Sequence, residues 1–216
     1  MSINSKYAVF GLGKFGIAIA LELARNGAEV LAVDKDPSPV EMIAPFVNLA
    51  RCADVTDPQV IKKLGIGDFD TVIVCMAQNL EAGVLATALC KEAGVKNVVV
   101  KCLDDMHKRI IERVGADSVV FPEKESGTRL AKNLLSSGFV DMMDISENVS
   151  IVELGVKEEW IGKTLAELNL RKKYSLNVIA IRHNGELTLT PDPLKPIESG
   201  EKFVVVANTE KLQKLK

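Results

Sequence analysis

Tyr7-Ala8-Val9-Phe10-Gly11-Leu12-Gly13-Lys14-Phe15-Gly16, followed after a helical stretch by Val30-Leu31-Ala32-Val33-Asp34, decides the fold. An apolar run of strand length meets a glycine-rich turn, the turn opens a helix, and a second apolar run ends on a carboxylate. That is the order of a β-α-β unit that cradles a diphosphate. Gly11 permits the tight turn out of the strand, Gly13 lets the backbone approach a pyrophosphate, and Gly16 lets the helix pack close to the sheet. The helix start adds unpaired N–H groups and the positive end of its dipole. Asp34 lies 18 residues past Gly16 (34 − 16), placed to accept both hydroxyls of an adenosine ribose.

Outward from this unit, short β-branched runs alternate with helical patterns as far as Phe121, the mark of a parallel sheet with helical crossovers. Strands are expected over 7–10, 29–33, 48–52, 71–76, 97–101 and 118–121, and helices over 15–25, 39–44, 58–64, 80–92 and 106–114. Runs such as Val72-Ile73-Val74-Cys75 are apolar on both faces, as a sheet covered on both sides requires. The expectation is an α/β, doubly wound, Rossmann-like domain over residues 1–122. Residues 123–147 read as a helical, dimer-forming linker, with a helix from Glu123 to Leu135 and a break at Ser136-Ser137-Gly138. Residues 148–216 read as a smaller α+β domain in the order β-α-β-β-β-α. In it a helix covers 165–170, a hairpin turns at Asn184-Gly185, and a helix closes the chain.

The chain has 216 residues, 47% of them hydrophobic, enough for one full core and a smaller one. A net charge of −2 and a pI near 5.8 argue against a nucleic-acid polymer as partner. Cys52, Cys75, Cys90 and Cys102 lack C-x-x-C spacing and read as small core hydrophobes in a reducing cytosol. No apolar stretch approaches the roughly 20 residues that span a bilayer.

Further candidates cluster around the glycine loop. Lys14 is either a point charge for terminal phosphates or an exposed helix-start lysine. Phe15 and Lys35 flank the loop and Asp34. In Ala53-Asp54-Val55-Thr56, Asp54 either accepts from the adenine amine or caps a helix. Lys101, at the end of the fifth strand, faces the same crevice. His107 and His183 read as surface residues, so no acid/base pair for hydride transfer is evident. Arg171-Lys172-Lys173, beside Tyr174 and Asn177, is an anion pocket or a solvated face.

These motifs, with Val114-Gly115-Ala116-Asp117, Phe121-Pro122-Glu123-Lys124, Gly162-Lys163-Thr164-Leu165 and Glu198-Ser199-Gly200-Glu201-Lys202, resemble the KtrA/TrkA regulatory subunits of bacterial potassium uptake along the whole chain. The resemblance implies a cytosolic homo-octameric ring of dimers beneath a potassium-translocating membrane subunit of the KtrB/TrkH type, opened by ATP and closed by ADP. It further implies γ-phosphate contacts from Lys14, where relatives often have Arg, and from Lys101, and a divalent cation on Glu123. It also implies cyclic di-AMP on Arg171 and Asn177, with Ile161 and Val178 as apolar cover. The alternative reading is a small NAD-dependent oxidoreductase, with NAD or NADH in the same loop.

Overall fold

The computed structural model describes residues 5–135, 139–146 and 148–208; the break at 136–138 and the expected closing helix lie outside them. The chain divides into two compact units, Met1–Lys124 and Glu125–Lys216.

The first unit is a parallel sheet of six strands, β1 (Lys6–Phe10), β2 (Glu29–Asp34), β3 (Leu49–Cys52), β4 (Thr71–Val74), β5 (Asn97–Lys101) and β6 (Ser118–Val120), in the order β3-β2-β1-β4-β5-β6. The crossovers are α1 (Lys14–Arg25), α2 (Pro37–Ile43), α3 (Pro58–Leu64), α4 (Leu80–Glu92) and α5 (Asp105–Val114). Alternate residues of a strand serve opposite cores. Ala8, Phe10, Leu31 and Val33 pack with Ile61, Ala86, Cys90 and Ile111 on one face. Val9, Val30 and Ala32 pack with Ala20, Val40 and Ile43 on the other. Phe10 is fully buried, so its truncation to Ala costs about 3–5 kcal/mol.

Helix starts follow local chemistry. Asp36, Asp57, Asn79 and Asp104 accept backbone N–H groups at the heads of α2, α3, α4 and α5. The cap at Asp36, with Pro37 as first helical residue, starts α2 two residues before the expected Pro39. His107, expected on the surface, is only 5% exposed, and its Nε2 is buried without a hydrogen-bond partner. It packs beside Gly83 of α4, where a Cβ would lie at an ordinary contact distance of 3.9 Å from that nitrogen.

A sixth helix, α6 (Pro122–Leu135), carries the chain across the division between the units. The second unit is an antiparallel sheet of β7 (Phe139–Ser146), β8 (Val149–Gly155), β9 (Leu176–His183), β10 (Glu186–Leu189) and β11 (Lys202–Asn208), in the order β10-β9-β11-β8-β7. β7 is unanticipated. Its pairing with β8 slips in register near both ends, and such bulges break the alternation by which a strand is read. The buried face carries Val152, Leu154, Phe203 and Val205, with Trp160 stacked on Phe203 at 5.9 Å. The helix expected over 165–170 is two: α7 (Leu165–Leu168), closed by Asn169 at φ +47°, and α8 (Leu170–Tyr174). The hairpin forms as expected, with Asn184 at φ +48° and Gly185 at φ +89°.

Candidate nucleotide site

The strand order reverses between β1 and β4, and in open parallel sheets ligands bind in the crevice beyond the carboxyl ends at such a point. A cavity of about 300 Å³ lies there, within the usual range for ligand pockets. Gly11, Gly13, Asp34, Lys35, Asp54, Val55 and Thr56, all singled out above, line it.

The glycines divide the work. Gly11 turns at φ +89°, and its N–H donates to the Val33 carbonyl at 2.9 Å. A Cβ on Gly16 would lie 2.0 Å from the Gly11 carbonyl oxygen, so that glycine is required by the protein's own packing. A Cβ on Gly13 would meet nothing within 4 Å. The protein itself leaves that space open, on the side where a phosphate would sit. Gly13 also begins α1, and of α1 to α5 only this helix lacks a side-chain cap. Its first N–H groups therefore remain available to an anion.

Asp34 is held by two backbone donors. Leu12 N–H donates to Oδ2 at 2.6 Å and Asp36 N–H to Oδ1 at 2.9 Å. Each carboxylate oxygen keeps an acceptor site for a ribose hydroxyl. Asp54 accepts from the Thr56 hydroxyl at 2.7 Å and its N–H at 3.0 Å, bonds that hold its carboxyl below the usual range with help from Lys35. The cap of α3 is Asp57, which leaves Asp54 to the cavity.

Lys14 is exposed at the head of α1, and neither it nor the half-buried Phe15 nor the buried Gly16 lines the cavity. The Lys101 ammonium lies 5.5 Å from the centroid of the Phe15 ring and is paired with Glu123. Neither partner lines the cavity. Among the described residues Glu123 belongs to no group of three histidine, cysteine or carboxylate ligands. Arg171 and Asn177 share a cavity of about 390 Å³ in the second unit, lined also by Leu165, Val178, Pro191 and Pro193; Ile161 is not part of it.

The sequence reading missed the opposite wall, Cys75, Met76, Gln78, Asn79 and Ala82, between β4 and α4. The available signal was topological, because the strand beside β1 across the reversal must deliver its loop to the crevice. Cys75 brings no nucleophile, since burial pushes its thiol up to about 12 despite Lys101 nearby. What the arrangement offers is unpaired backbone N–H groups for an anion and carboxylate oxygens for hydroxyl or amine donors.

The TrkA-N domain model matches residues 7–122 and the TrkA-C domain model matches residues 149–216. The chain belongs to the TrkA-N/TrkA-C family. Two relatives in this family are the Ktr system potassium uptake proteins C and A of Bacillus subtilis. Protein C is 35% identical over 206 residues, 95% of this chain and 93% of its own. Protein A is 35% identical over 211 residues, 98% of this chain and 95% of its own. The TrkA-N/TrkA-C chain also superposes on the GsuK channel at a TM-score of 0.69 and 17% identity. That alignment covers 98% of this chain and 39% of the channel chain, a likeness of fold. Among the described residues no helix is long and apolar enough to cross a membrane.

Proposed function

We propose that the chain is a non-catalytic, nucleotide-sensing regulatory subunit of a Ktr-type potassium uptake system. It acts at the cytoplasmic face of the membrane through a potassium-translocating partner of the KtrB/TrkH type, and ATP and ADP are the ligands that set its state. The observation that carries this reading is the uncapped head of α1 beside the open space at Gly13, with Asp34 lining the same cavity. Lys14, exposed at that helix head, is the charge this reading assigns to separate a triphosphate from a diphosphate. Binding energy that differs between two shapes of an assembly shifts its equilibrium, and no bond need break.

The assembly on this reading is a homodimer that builds a homo-octameric ring. Leu130 and Leu134, one helical turn apart on α6, and Met143 and Ile145 on β7 are exposed apolar side chains in support of it. Cyclic di-AMP is the proposed second ligand, in the cavity of Arg171 and Asn177.

A thermal-shift panel of ATP, ADP, NAD, NADH and cyclic di-AMP tests the proposal, because a ligand of the folded state alone raises its stability. ATP and ADP are expected to raise the melting temperature of wild type, and Lys14→Ala to lose more of the ATP shift than of the ADP shift. Arg171→Ala is expected to lose only the cyclic di-AMP shift. A chain that stays monomeric in light scattering and ignores ATP sinks the reading. Turnover of NADH absorbance with a small carbonyl substrate would replace it with an oxidoreductase.

A further inference from the structure

His183, Glu198 and Glu201 bring a nitrogen and two carboxylates together in the second unit, one ligand atom of each lying within 4.8 Å of the others. The sheet fixes two of them. Lys202 pairs with Arg182 in the β9–β11 ladder, so the next residues out, Glu201 and His183, stand opposite one another. His183 Nδ1 lies 3.8 Å from Glu201 Oε1. The turn from Glu198 to Glu201, with Gly200 at φ +85°, returns Glu198 to the same place. Its N–H donates to Glu201 Oε2 at 3.1 Å.

Two features of this cluster are costly in an ordinary turn. His183 Nδ1 is buried with no hydrogen-bond partner, and an unsatisfied buried nitrogen destabilises a fold by about 1–3 kcal/mol. The Glu201 side chain is only 5% exposed, with Oε1 turned toward that nitrogen. Both are explained by an ion between them. Ligands at about 2.0–2.2 Å from a tetrahedral metal are separated by about 3.4 Å, a few tenths of an ångström short of the 3.8 Å between His183 Nδ1 and Glu201 Oε1, while the cluster as a whole is held within 4.8 Å. The surrounding cavity, about 300 Å³, sets Glu186, Asp192, Glu198 and Glu201 against Lys195 alone, a surplus of negative charge. Lys195 Nζ is 3.1 Å from Glu198 Oε1, and both side chains are more than half exposed.

We propose that His183, Glu198 and Glu201 form a site for a divalent transition-metal cation, with zinc the best-matched occupant. A nitrogen ligand beside two carboxylates selects such an ion over magnesium or calcium, which favour oxygen alone. The bound ion ties the β9–β10 hairpin to the head of β11. The site lies outside the nucleotide cavity and stands whether or not that cavity takes ATP.

The test is calorimetric titration of the full chain with Zn²⁺ and with Mg²⁺, beside the visible absorbance of bound Co²⁺, for wild type, His183→Gln and Glu198→Gln. Wild type is expected to bind Zn²⁺, to show Co²⁺ absorbance and to melt higher with Zn²⁺. His183→Gln is expected to weaken Zn²⁺ binding at least roughly ten-fold, a loss seen even for outer partners of metal ligands. Glu198→Gln, at an exposed side chain, keeps the fold and weakens binding in the same direction. The ATP-induced thermal shift, read on the same samples, should be unchanged in both variants and reports that they are folded. Equal Zn²⁺ binding by wild type and His183→Gln overturns the proposal, as does a wild type that binds no Zn²⁺ or binds Mg²⁺ as tightly.

Discussion

Lys101 and Glu123 neutralise each other at the edge of the glycine loop: the lysine side chain is 12% exposed, and its ammonium lies against the Phe15 ring and the Glu123 carboxylate. The lysine's hydrogen bond holds the Glu123 carboxyl below the usual range. Because Phe15 belongs to the first turn of α1, charge at this pair acts on an anion at the helix head. Glu123→Gln frees the lysine charge, and ATP affinity without divalent ions should rise about five-fold, or ~1 kcal/mol. Lys101→Met should lower it by a similar factor. Calorimetry at two salt concentrations checks both, with the effects shrinking at the higher one.

The glycines of the loop make a sharper pair of variants. Gly16→Ala forces a methyl against the Gly11 carbonyl and should destabilise the chain by about 1–3 kcal/mol. Gly13→Ala meets open space, and the loss of a glycine N-cap should cost less than about 1 kcal/mol. Its methyl instead occupies the approach to α1, so nucleotide affinity should fall more than its melting temperature suggests. A Gly13→Ala variant with undiminished ATP binding would remove the phosphate from this position.

Thiol chemistry should separate one cysteine from three. Cys52 is exposed, whereas burial pushes Cys75 and Cys90 up to about 12 and Cys102 up to about 11. Near pH 8 these three hold almost no thiolate. Iodoacetamide with mass-spectrometric mapping should modify Cys52 first and the others only as the chain opens. A bound nucleotide should slow the three and leave Cys52 unchanged.

Acid should weaken the first unit through Asp117. Its carboxylate accepts the Val98 N–H at 2.7 Å and the Lys91 ammonium at 2.9 Å, and these contacts lower its pKa. With the folded value below the unfolded one near 3.9, the unfolded chain binds more protons in between, so stability rises with pH across that interval. The contribution is complete above about pH 5 and is lost as pH falls through the folded value. Asp117→Asn should cost about 1 kcal/mol at pH 7, discounted for the 37% exposure of the side chain, and should flatten the acid limb of a denaturation series.

Much of the first unit is legible because its signals are local. Gly11 and Gly16 each answer a requirement set within a few residues, Asp34 follows at a fixed spacing within one β-α-β unit, and the two-faced strands declare their burial directly. The wall from Cys75 to Ala82 is different, since only the order of strands brings it beside Gly11. β7 escaped because its bulges shift the phase of Phe139-Val140-Asp141-Met142-Met143-Asp144. The split between α7 and α8 turns on one backbone angle at Asn169, which the helical spacing of Leu165, Leu168 and Leu170 conceals. His107 sits in a run of charges and is buried all the same, against the neighbouring helix α4. Helical charge patterns show which face is wet only when the facing helix is known.

Asp34 ties the glycine loop at Leu12 to the entry of α2 at Asp36, two amides 24 residues apart (36 − 12) on one carboxylate. A ligand hydroxyl that draws on either oxygen tugs on both loops. Their opening fluctuations are therefore shared, and hydrogen exchange at these two amides should slow in step when the cavity fills. On the proposed function, the carboxylate that would receive the sugar is also the joint through which two separate stretches of backbone would register its arrival.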